Sequence, residues 1–93
     1  MLTVVATIVA RPGSEAPVRA GLEGLLAPTR AEAGCINYDL HVDLEDPCRF
    51  VFHENWESEE HLEAHLASDH IAANREAIGE LLESLEVRRL RKV

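Results

Sequence analysis

Ile36, Tyr38, Leu40 and Val42 alternate with Asn37, Asp39, His41 and Asp43. Neighbouring side chains on a strand point to opposite faces, so a period of two predicts a strand with one buried face. Leu44-Glu45-Asp46-Pro47-Cys48 is turn chemistry. Arg49 to Trp56 then reads as the return strand, with Phe50, Phe52, Glu54 and Trp56 on one face. Such a hairpin must have another layer against its apolar side, which excludes most arrangements open to a short chain. If the turn closes symmetrically, Leu40 opposes Phe52 and Tyr38 opposes Glu54, so a carboxylate falls among aromatics. Asp39 and His53 meet on the other face, as a cross-strand or dimer contact.

The flanks supply that layer. Leu2 to Ala10 is rich in Val, Ile and Thr and apolar at both alternations, which predicts a strand buried on both sides. Arg11-Pro12-Gly13 ends it, and Ser14 is placed to cap a helix with Glu15 in its first turn. Val18, Leu22, Leu25, Leu26 and Thr29 recur at helical spacing. Pro28 must kink that helix or end its regular part, at a point where Gly24 has no side chain to clash. Gly34 is a natural stop. After the hairpin, Ser58 caps a helix with Glu59 and Glu60 in its first turn and Leu62 and Leu66 on its stripe. A second helical pattern, Ile71, Arg75, Ile78, Leu82 and Leu85, follows a break near Ser68-Asp69, and residues 86–92 close the chain as a strand. The order β-α-β-β-α-β predicts an α+β, ferredoxin-like domain over residues 1–93, with a four-stranded antiparallel sheet and helices on one face. An apolar first strand would leave the uncovered face with an exposed patch. A sheet-to-sheet homodimer is therefore expected.

The 93 residues carry 17 acids and 9 bases, a net charge of −8. A polyanionic partner needs clustered Lys and Arg, so nucleic acid is not expected. The one basic stretch is the tail, where Arg88, Arg89, Arg91 and Lys92 stand against Glu86; charge there keeps an edge strand soluble, or else docks it onto an acidic neighbour such as a second copy. The apolar run after Met1 is too short to span a membrane and has no charged flank. A cytoplasmic chain with reduced thiols is expected. Cys35 lies at the open end of the hairpin and Cys48 at its turn, about 25 Å apart at strand rise. An internal disulfide is excluded on that register.

Chemically able side chains collect where the hairpin meets the following helix. At about 100° per residue, His65 falls roughly 60° from Leu62 and His70 roughly 80° to the other side, so both flank the buried stripe. His65, with a pKa near neutrality, is the expected general base. Glu54, a carboxylate on an apolar face, should have its pKa raised and suits acid–base work, or else anchors Tyr38 or His65. Trp56, Tyr38 and His70 are the expected substrate contacts, with a core role the alternative for Trp56 and Tyr38. His61 and His65 are spaced to hold Zn²⁺, but His61 points too far outward to join His70 or Glu54, so no metal is expected.

These residues carry a resemblance. Gly34-Cys35, Tyr38, Asp46-Pro47, the run Phe50, Phe52, Glu54, Trp56, then Leu62-Glu63-Ala64-His65 and Ser68-Asp69-His70 resemble the antibiotic biosynthesis monooxygenase family over nearly the whole chain. Within that family the chain looks like the small quinol-oxidising members. The resemblance implies a dimeric α/β barrel with back-to-back sheets and a pocket between each sheet and its helices. It implies oxygenation of a small quinol or phenol by O₂ without metal, flavin or haem. The haem-degrading relatives carry a ligating His on the second helix; Arg75 stands near that place here, and Ala6 near their polar residue on the first strand, so haem degradation is not expected. Two alternatives stay open: an isomerase or other enzyme of a small oxygenated metabolite, and a non-catalytic dimeric ligand-binding or stress protein.

Overall fold

In a computed structural model describing residues 1–93, the alternating hairpin forms as β2 (Cys35–Asp43) and β3 (Asp46–Trp56). Leu40 pairs with Phe52, Tyr38 with Glu54 and Asp39 with His53, the predicted register. The turn is tighter than expected, because Asp46 already pairs with Asp43 and only Leu44 and Glu45 remain outside the strands. At the far end a bulge inserts Ile36 between two paired residues. Ile36 is exposed as a result, and Cys35, packed on the core, takes its expected place.

The first strand, β1 (Leu2–Ala10), lies between β3 and β4 (Leu82–Leu90), giving an antiparallel sheet of order β2-β3-β1-β4. Val4, Ala6, Ile8 and Ala10 are buried against the helices. The opposite alternation, Thr3, Val5, Thr7 and Val9, is half-buried rather than enclosed on both sides. It forms a narrow apolar stripe with Val51, flanked by polar neighbours. A hydrogen-bonded row of Thr3, Asn55 and Asn37 crosses one end of this face.

Four helices cover the other face: α1 (Glu15–Glu23), α2 (Leu26–Arg30), α3 (Glu59–Leu66) and α4 (Asp69–Ile78). Pro28 has no N–H to give the carbonyl of Gly24, and the α1–α2 break falls at Gly24-Leu25. Ser14 occupies the N-cap position of α1 without a side-chain bond; Glu15 instead accepts from the Gly13 N–H at 2.9 Å. Ser58 and Ser68 do cap α3 and α4, accepting from the His61 and Ile71 N–H groups. Leu82 and Leu85 continue the spacing of α4 but not its helix, which ends at Ile78; a 3-10 turn over Gly79–Leu81 leads directly into β4.

Val18, Leu22 and Leu25, together with Leu62 and Ile78, fill the layer between helices and sheet. Each such side chain contributes about 1.5–3 kcal/mol relative to remaining in water. Gly34, which turns the chain into β2, has φ +81°, and a Cβ there would collide with the His61 ring. That ring is held by Ser58 Oγ, 2.7 Å from Nδ1, so His61 is a structural neighbour of the turn rather than a solvated side chain. Both cysteines are free, and burial pushes the Cys35 thiol up, away from reactivity. No helix is long and apolar enough to cross a membrane.

Candidate active site

A cavity of about 130 Å³ lies between the sheet and the helices. Its walls are apolar, from Val4, Ala6 and Phe52 on the sheet to Leu62 and Ile78 on the helices. Tyr38, Glu54 and His65 also line it. Leu85 and Val87 of β4 are the exposed apolar members of the lining and mark the mouth. Two groups able to move protons thus share a mostly apolar space open at one edge.

Each owes its place to the local sequence. Glu54 sits on the inward alternation of β3, between Phe52 and Trp56, and is 4 % exposed. Its Oε1 accepts from the Trp56 indole N–H at 2.9 Å. Desolvation pushes its pKa up to about 7; the indole bond opposes this and the Glu32 carboxylate adds to it. Glu54 therefore exchanges a proton near neutrality. His65, in the last turn of α3, is buried, with its ring between Trp56 (centroids 4.8 Å apart) and Tyr38 (5.4 Å). Its Nδ1 lies 2.6 Å from Glu32 Oε2. A carboxylate only accepts, so Nδ1 carries the proton and Nε2 presents a lone pair. Burial lowers the His65 pKa against the opposing pull of Glu32, keeping the ring neutral and able to accept. Tyr38 stacks on Phe52 at 4.5 Å, and burial, reinforced by Glu54, drives its phenol far above the usual range. It is a wall and a donor, not a base.

Three of the five expected residues, Tyr38, Glu54 and His65, meet in the cavity. Trp56 and His70 do not line it. Trp56 is fully enclosed behind the pair, where it holds Glu54 by its N–H and His65 by its ring face. His70 lies on the far side of Glu32, with Nε2 3.2 Å from the same Oε2. The anticipated link between Glu54 and His65 is replaced by two separate ones, Glu54 to Trp56 and His65 to Glu32.

Glu32 is the residue the sequence reading missed. It lies in the irregular segment between α2 and β2, where no periodicity assigns a face. The only available cue was an acid within two residues of Gly34, in a turn that leads the chain to the hairpin's open end.

The sequence profile of the family described as "Antibiotic biosynthesis monooxygenase" matches residues 1–77. The chain belongs to that family. Rv0793 of Mycobacterium tuberculosis, named as a monooxygenase, is 37% identical over 87% of this chain and 79% of its own length. YgiN of Escherichia coli, named as a quinol monooxygenase, is 37% identical over 89% of this chain and 90% of its own. Among solved structures, PA3566 from Pseudomonas aeruginosa superposes with a TM-score of 0.94 at 37% identity, covering 99% of this chain and 93% of that one. A solved structure named as an antibiotic biosynthesis monooxygenase superposes with a TM-score of 0.94 at 32% identity, covering 100% of this chain and 99% of that one, so the fold is shared end to end, edge strand included.

Proposed function

We propose that this chain is a cofactor-independent monooxygenase of a small quinol or phenol. The observation that carries the reading is the His65 imidazole, neutral and fixed through Nδ1 by Glu32, in an apolar cavity that it shares with Glu54. Nε2 takes the hydroxyl proton of the substrate. The resulting anion is rich enough in electrons to give one to O₂, and the radical pair combines at a ring carbon to form a hydroperoxide. Glu54, titrating near neutrality, delivers a proton to the distal oxygen as the O–O bond breaks. One oxygen atom stays on the ring as a carbonyl and the other leaves as water. The substrate supplies all four electrons, and its hydroxyl and ring C–H protons end in the water. Apolar walls exclude bulk water from the intermediate.

Metal-free protein should consume O₂ with menadiol well above the autoxidation rate; uptake no faster than autoxidation overturns the reading for this substrate class. A second reading draws on the same pair of groups. Two proton carriers on one cavity also suit an isomerase, which would turn over its substrate without O₂; anaerobic turnover would select it.

The reading includes a homodimer through the open sheet face, supported by the half-buried stripe of Thr3, Val5, Thr7, Val9 and Val51. Sedimentation at micromolar concentration should give twice the 10.3 kDa chain mass, and a monomer would sink the dimer.

A further inference from the structure

We infer that Glu32, His65 and His70 form a binding site for a borderline divalent transition metal such as Zn²⁺ or Co²⁺, and that occupancy silences the His65 base. The three residues come from separate segments: the α2–β2 connection, the last turn of α3 and the first turn of α4. Their donor atoms, two imidazole nitrogens and one carboxylate oxygen, all lie within 4.8 Å of one another. Both imidazoles converge on a single oxygen, Glu32 Oε2, at 2.6 and 3.2 Å, rather than spreading over the two carboxylate oxygens.

Donors around a tetrahedral metal at about 2.0–2.1 Å stand roughly 3.3 Å apart, so a small outward shift of the Glu32 carboxylate opens the position. Two nitrogens and an oxygen select zinc, cobalt, nickel or copper over Mg²⁺ and Ca²⁺, which want oxygen alone. Surrounding contacts hold the donors. Trp56 and Tyr38 clamp the His65 ring. Ser68 ties the end of α3 to the start of α4, donating to the His65 carbonyl at 2.7 Å and standing 3.3 Å from His70 Nε2. The Glu32 and His70 side chains are 19% and 25% exposed, so an ion arrives from solvent without crossing the cavity.

The consequence follows from imidazole tautomers. A metal on Nδ1 needs that lone pair, so the proton moves to Nε2, and an Nε2–H cannot take a proton from a substrate. This second part rests on the proposal that His65 is the base; binding itself does not.

The test is Co²⁺ and Zn²⁺ titration of untagged protein by calorimetry and Co²⁺ absorption, beside His70→Gln, which can keep its hydrogen bond to Glu32 but is a poor ligand. The expected result is one metal per chain, a d–d band of nitrogen and oxygen ligation, and affinity lower by at least about tenfold in the variant. No saturable binding below millimolar metal, or equal affinity in His70→Gln, overturns the site. With O₂ uptake as readout, Zn²⁺ should inhibit the wild type at the concentration that fills the site, and inhibition of the variant should shift to higher metal by the same factor. Filling without inhibition overturns the silencing and leaves the site standing. Absence of any metal-free turnover while binding persists counts against the monooxygenase reading alone.

Discussion

His65→Ala is expected to lower kcat/KM for a quinol by about 10²- to 10⁴-fold, the usual contribution of a positioned general base. Circular dichroism would check that the sheet survives, since the substitution also empties space between Trp56 and Tyr38. Glu32→Gln should also lower turnover, because an amide can donate to Nδ1 and favour the wrong tautomer while leaving the ring in place. The pH dependence separates His65 from Glu54 as the base. Burial places the His65 pKa below its ordinary 6.5, so an imidazole base keeps its activity until the pH falls beneath that value. A Glu54 base would lose activity as the pH falls through about 7. Full activity in His65→Ala, with an acidic limb at 7, would transfer the role to Glu54.

The parts of this site that were legible are those fixed by periodicity. Alternation puts Tyr38 and Glu54 on one face at one level, and the pairing is as expected. Helical angles place His65 at the edge of its stripe, and it is buried there. Periodicity is silent on what joins two elements. Glu32 pairs with residues 33 and 38 positions away, from a segment with no repeating pattern. The same limit explains Trp56. A residue on the inward face can line a cavity or stand behind its lining, and only side-chain packing distinguishes the two. The α4–β4 boundary departs from the helical spacing for a different reason. Leu82 and Leu85 fit the spacing of the preceding helix, while an edge strand exposed almost throughout shows no alternation to announce itself. Ile36 leaves the face its alternation predicts because a bulge shifts one residue without changing composition.

Glu54→Gln should make the protein more stable while impairing turnover. In the unfolded chain the Glu54 carboxyl titrates near 4.5, and in the fold at about 7. Between these values the native state binds more protons than the unfolded one, so stability falls as the pH rises through that window. The shift corresponds to roughly 3 kcal/mol at pH values above both, at 1.36 kcal/mol per unit. Gln has nearly the same shape, carries no charge to desolvate and can still accept the Trp56 N–H through its amide oxygen. At pH 8 the variant should therefore gain about 2–3 kcal/mol, or on the order of 10 °C in Tm for a chain of this length. As the pH falls to 4.5 and below, Glu54 becomes protonated in the unfolded chain as it already is in the fold, and wild type and variant should nearly coincide. His65 contributes the opposite slope. Its lowered pKa means that stability is lost as the pH falls below 6.5, but this affects both proteins, so their difference isolates Glu54. Thermal unfolding of the pair from pH 4.5 to 8.5 measures it. A difference that does not grow with pH would mean that Glu54 is ionised without penalty, and the proton delivery assigned to it would lose its physical basis.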